Sequence, residues 1–123
     1  TNSAVQTINR IVDSFEGSEQ VQVRNMLSVS LTAVISQVLL PKKSKGRIAA
    51  HEILINNNAI ANLIREGKNH QIYSQMQLNQ TKTGMQTQTQ VLTHYVQKNV
   101  ISREIALSFS TQAQELAARL GVG

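Results

Sequence analysis

Two apolar runs flank a basic turn: "LTAVISQVLLP" over residues 31–41, "KKSKG" over 42–46 and "RIAAHEILI" over 47–55. Both runs have strand length and are rich in β-branched and aliphatic residues, and the first stops at the only proline. This pattern predicts an antiparallel hairpin. Nearly every position of both strands is apolar, as in a sheet covered on both faces. A lone hairpin cannot bury itself that way, and the sequence offers no other strong strand. The hairpin is therefore expected to belong to a larger sheet. The opening "TNSAV", without an initiating Met, agrees with a segment of a longer protein or a processed form.

Elsewhere the apolar period is that of a helix. Ala4, Val5, Ile8, Ile11, Val12 and Phe15 predict an amphipathic helix over residues 3–15. A Ser3/Gln6 capping box should start it and Gly17 end it, with Ser18 capping a second helix that runs to about Val29. "NNNAIANLIREGKNH", residues 56–70, is punctuated at both ends, by Asn57 or Asn58 as cap and by Gly67 past the last turn. Within it Ile60, Leu63 and Ile64 share one face, while Ala61, Asn62 and Arg65 point the other way. A helix over residues 70–80 places Ile72, Tyr73 and Met76 together, and Gly84 breaks the chain. Thr87 and Gln90 form a capping box for a helix carrying Val91, Leu92, Tyr95 and Val96, which Asn99 closes. Ser102 caps the next helix, with Ile105, Ala106 and Phe109 inward. Thr111 with Gln114 caps the last, where Ala113, Leu116, Ala117 and Leu120 face in and Gly121 ends the run. Eight glutamines fall within residues 71–97, but the apolar period persists through them, so ordered helices with uncharged polar surfaces are expected.

The chemistry is sparse. With no cysteine among its 123 residues, the chain has neither disulfides nor a thiol nucleophile. His51, His70 and His94 stand apart, and "HEILI" lacks the second histidine of a zinc helix. No phosphate-cradling G-x-x-x-x-G-K-[ST] loop and no G-x-S-x-G elbow is present. No apolar run reaches the length of a membrane span, and no signal-peptide pattern opens the chain. The net charge of +5 is concentrated at Lys42, Lys43, Lys45 and Arg47. That cluster reads first as a solvated turn, and second as a surface for phosphates or acidic lipid headgroups.

Five segments then fall into one order and spacing: "TNSAVQTINRIVDSF" (1–15), "LSVSLTAVISQVLLP" (27–41), "GRIAAHEILINNNAIANLIREGKNHQI" (46–72), "GMQT" (84–87) and "ISREIAL" (101–107). Together they resemble the C-terminal part of the PilT family, the retraction ATPases of type IV pili. The resemblance implies an α/β fold, the C-terminal part of a RecA-like P-loop ATPase domain with an antiparallel hairpin, mostly α-helices and a helical subdomain at its end. Residues 1–56 would be the residual ATPase core and 57–123 the helical subdomain. It further implies a homohexameric motor whose full-length form binds ATP and Mg2+ through residues upstream. This segment would then hold no catalytic residue and no metal, and would be inactive and without cofactor on its own.

The same resemblance places the end of the family's histidine-box region at Thr1 and Asn2. Its A-I-R-N-L-I-R-E coupling motif falls on Ala59, Ile60, Ala61, Asn62, Leu63, Ile64, Arg65 and Glu66, with Ala61 where the family has Arg. Asn79 stands where Gly is expected, and Thr89 where Asp is expected. Lys42, Lys43, Lys45 and Arg47 become a candidate subunit-interface loop. The implied setting is the bacterial cytoplasm, peripheral to the inner membrane, against the pilus platform protein and without direct contact to nucleic acid. A type II or type IV secretion-type ATPase paralogue is the alternative. A basic module using residues 88–98, 99–101 and 103–110 as a helix-turn-helix, or a pure assembly module, would be readings of a different class.

Overall fold

The computed structural model describes residues 3–121. In chain order they form α1 (Ala4–Asp13), α2 (Gly17–Ser30), β1 (Ala33–Pro41), β2 (Arg47–Ile55), α3 (Asn58–Arg65), a 3-10 turn (Asn69–Gln71), α4 (Ile72–Met76), α5 (Gln80–Thr83), α6 (Gln88–Gln97), α7 (Arg103–Phe109) and α8 (Ala113–Leu120). The strands pair antiparallel, from Ala33 opposite Ile55 to Pro41 opposite Arg47. Gly46, at φ 84°, supplies the left-handed residue of the turn, and Lys42 N–H donates to Gly46 O at 3.0 Å.

The hairpin has one covered face. Ser36, Leu40, Ala50, Glu52 and Leu54 are buried there, while Ile35 and Leu39 on the opposite face are exposed. Cover on both faces, expected from the sequence, is thus absent among the described residues. The two edges also differ. On the edge of β2, Tyr95 Oη donates to Ala49 O, Gln86 Nε2 to His51 O and Gln86 N–H to Ile53 O, at 2.7, 2.8 and 3.1 Å. Among the described residues no strand lies on the edge of β1.

Two apolar clusters sit at opposite ends of the covered face. Leu54 joins Ala4, Ile8, Ile60, Ile64, Ile72, Met76 and Met85 in one. Leu40 and Ala50 join Leu92, Ile101, Ala106 and Leu116 in the other. Between them Glu52, 2% exposed, accepts the N–H of Ala4 at 3.0 Å and the N–H of Gln88 at 2.9 Å. These are the first residues of α1 and α6, so one carboxylate satisfies an orphan donor at two helix N-termini.

Helix punctuation follows the sequence at most ends. The Ser3 hydroxyl accepts Gln6 N–H, and Thr87 with Gln90 forms a reciprocal capping box. Ser102 caps α7, and Gly121 at φ 74° ends α8. Three ends differ from expectation. Gly17 begins α2 rather than closing α1, and Glu16 occupies the cap position without a side-chain bond, so Ser18 caps nothing. The helix expected over residues 70–80 is instead a 3-10 turn that includes His70, then α4 and α5, with the left-handed Asn79, φ 52°, separating α4 from α5. Gln112, not Thr111, precedes α8. Thr111 is held instead by Gln88 Oε1, which accepts its N–H at 2.9 Å.

Candidate functional site

The stretch 56–70 builds α3 as an anchored helix with one displayed face. Asn57 Oδ1 accepts Ile60 N–H at 2.9 Å and caps its start. At its end Gly67 N–H donates to Ile64 O at 3.2 Å and Lys68 N–H to Leu63 O at 2.8 Å, the paired bonds of a Schellman motif. That motif needs the left-handed residue that Gly67 provides at φ 72°. Ile60 and Ile64 are fully buried in the first cluster, with Leu63 packed against it.

The residue before the cap ties α3 to α2. Asn56 Nδ2 donates to Ser28 O at 3.1 Å and to Leu31 O at 2.8 Å, which satisfies carbonyls at the end of α2. Arg24 of α2 reaches the other end of α3, where a Cβ on Gly67 would stand 3.5 Å from its guanidinium carbon. Asn56 thus bonds the two helices at one end, and Arg24 packs over Gly67 at the other.

What α3 shows to solvent is polar. Asn62, Arg65 and Glu66 are exposed, Ala59 and Ala61 half-buried. Arg65 Nη1 donates to Asn62 Oδ1 at 2.8 Å, and Glu66 pairs with Lys68 at 3.1 Å. Such exposed contacts contribute little to stability, so this face is not what holds the helix. Ala61, one turn before Arg65, leaves a single guanidinium on that face of α3.

The other candidate residues are elsewhere. Thr1 and Asn2 lie outside the described residues. Lys42, Lys43, Lys45 and Arg47 occupy the hairpin tip, a strand length of about 26 Å from the start of α3. Lys43 is not a loose turn lysine. Its N–H donates to Val100 O at 2.9 Å and its ammonium to Asn99 Oδ1 at 3.2 Å. Asn99 holds the left-handed position after α6, φ 60°.

Two polar features escaped the sequence reading. Glu52 drew notice only as the neighbour of His51, although its inward register against Ser36 marked it as a buried acid. His51 itself faces outward and meets Gln37 Oε1 across the strands at 2.8 Å. The second feature is Tyr73, whose Oη donates to Glu115 Oε2 at 2.6 Å and lies 3.3 Å from Thr89 Oγ1. Burial, and then the Glu115 carboxylate, push the Tyr73 hydroxyl up to about 12. Gln77 and Arg119 also reach Glu115, at 3.3 Å each, so α4 and α8 are joined through this acid. Among the described residues no group of three or more His, Cys, Asp or Glu could hold a metal. Nor is any helix there long and apolar enough to cross a membrane.

Comparison with known proteins gives this arrangement a lineage. No family model matches the chain. The type IV pilus retraction ATPase PilT of Pseudomonas aeruginosa is 52% identical over 106 residues, which is 86% of this chain and 30% of that protein. The solved structure of the pilus retraction motor PilT with bound ADP superposes with a TM-score of 0.85 at 46% identity, covering 96% of this chain and 32% of that one. The chain has the C-terminal portion of the PilT fold. Its hairpin and helices are the C-terminal part of a RecA-like ATPase domain, as the resemblance implied. The twitching motility protein of Neisseria gonorrhoeae is similarly related, 51% identical over 107 residues, 86% of this chain and 28% of that protein. The Legionella pneumophila ATPase DotB shares the fold at 22% identity, with a TM-score of 0.68 over 86% of this chain and 28% of that one. This PilT-like chain therefore spans about a third of the length of the relatives it matches.

Proposed function

We propose that the chain is the C-terminal segment of a hexameric motor that hydrolyses ATP, with Mg2+, to power type IV pilus retraction and twitching. The observation that carries this reading is an anchored helix with an outward Arg65, set in a segment 52% identical to PilT. Nucleotide is bound and hydrolysed by residues upstream, and the segment alone is inactive. Residues 1–56 complete the ATPase core and 57–123 form the helical subdomain. The bare face and edge of β1 are where the rest of the core sheet packs. Ala59 to Glu66 pass the ring's shape change to the pilus platform protein at the cytoplasmic face of the inner membrane. Homology to PilT favours this over a DotB-like secretion ATPase, for which the support is a likeness of fold. The helix-turn-helix reading is the weakest, because α7 buries Ala106 in the core and its outer face offers one arginine, Arg103.

The test is Arg65→Ala in the full-length protein. Pilus retraction should fall sharply, while folding stability changes by no more than about 0.5 kcal/mol, as for an exposed side chain with one local bond. A melting temperature lowered by several degrees with normal retraction per folded ring would make Arg65 structural and end the coupling role.

A further inference from the structure

A cleft of about 570 Å³ opens between the hairpin tip, the α6–α7 turn and α8. Lys43, Asn99, Ser102, Arg103, Glu104 and Arg119 line it. Its three cations come from segments distant in sequence, so only the fold brings them together. Two of them already have a partner. Lys43 is tied to Asn99 at 3.2 Å, and Arg119 Nε lies 3.3 Å from Glu115 Oε1. Arg103 has no ion-pair partner among the described residues.

We propose that this cleft docks an acidic segment of a protein partner, with Arg103 as the main anchor and Lys43 and Arg119 on either side. Guanidinium forks match carboxylates in bidentate geometry, and the unpaired Arg103 has its fork free for that role. Exposed Lys45, Arg47 and Lys98, close in sequence to the lining residues Lys43 and Asn99, extend the positive field that would steer such a segment in. The concave shape suits a peptide better than the flat surface of a bilayer. Glu104 inside the cleft opposes a continuous phosphate backbone, whereas a peptide can space its carboxylates around it. No aromatic side chain lines the cleft for a base to stack on.

The test is fluorescence anisotropy with a labelled hexaglutamate peptide and the full-length protein at low salt. Arg103→Glu and Lys43→Glu should each weaken binding about tenfold. Lys82→Glu, the same charge change on α5 away from the cleft, should weaken it no more than about twofold. Absence of peptide binding overturns the proposal, as does an equal loss in the Lys82 variant. So does Arg103-dependent binding of pyrophosphate or phosphatidylglycerol vesicles as tight as that of the peptide. The assay contains no pilus and no nucleotide, so its outcome is independent of the motor reading.

Discussion

Gln88 N–H donates to Glu52 Oε2 at 2.9 Å, and the other oxygen of the same carboxylate takes Ala4 N–H at 3.0 Å. The pair joins β2 to α6, and the second bond joins both to α1. A residue on the covered face of a two-stranded sheet thus locks the two apolar clusters in register.

Glu52→Ala should therefore destabilise the protein by about 3 kcal/mol, since it strands two buried amides that had a charged acceptor. Glu52→Gln, which keeps one acceptor oxygen, should cost less. Urea unfolding midpoints of the two variants measure the difference, and equal midpoints would show that the amides find other partners.

Tyr73 carries a pH signature. Its hydroxyl is raised from 10.0 to about 12, mainly by burial and then by Glu115. The neutral phenol is the form the fold favours. Its contribution to stability is complete below pH 10 and is lost as pH rises through about 12. The difference in phenolate absorbance between the protein and Tyr73→Phe should thus rise near pH 12, and Glu115→Gln should move it toward 10.0.

Gly67 after α3 and Asn79 before α5, both left-handed, make opposite predictions. Gly67→Ala should cost about 1 kcal/mol through backbone strain alone, because the new Cβ would stand 3.5 Å from Arg24, an ordinary contact. Asn79→Gly, at φ 52°, should be neutral or slightly stabilising, and Asn79→Ala destabilising by about 1 kcal/mol. Thermal melts of the three variants test the set.

The bare face of β1 gives a contrast between segment and whole. Ile35, 63% exposed, and Leu39, 41% exposed, form an apolar surface beside an unpaired edge. Ile35→Lys should reduce self-association of the isolated chain in sedimentation, yet destabilise the full-length protein by about 2 kcal/mol or more, where core would cover it. A neutral effect in the full-length protein would remove that packing assignment.

The isolated chain should show no heat of binding when titrated with ATP and Mg2+. Micromolar affinity would mean that residues on this segment hold nucleotide unaided.

Local interactions were legible because they are local. The hairpin, the caps at Ser3, Asn57, Thr87 and Ser102, and the stops at Gly67, Asn99 and Gly121 each depend on a few adjacent residues. So did the motif helix with its inward Ile60 and Ile64. The misplaced ends of α2 and α8 are the cases where a cap residue was drawn elsewhere or not used, as when Thr111 turned to Gln88. Sequence by itself determined most of the elements, the strand pairing and the face of α3 that is buried, but not the division of residues 69–83 into three short turns of helix. Tertiary structure alone decided that Glu52 bridges two helix starts, that Tyr73 meets Glu115 and that Arg24 covers Gly67. It alone gathered Lys43, Arg103 and Arg119 around one cleft. Those partners lie tens of residues apart, and a chain's local preferences carry no record of which distant groups burial will force together.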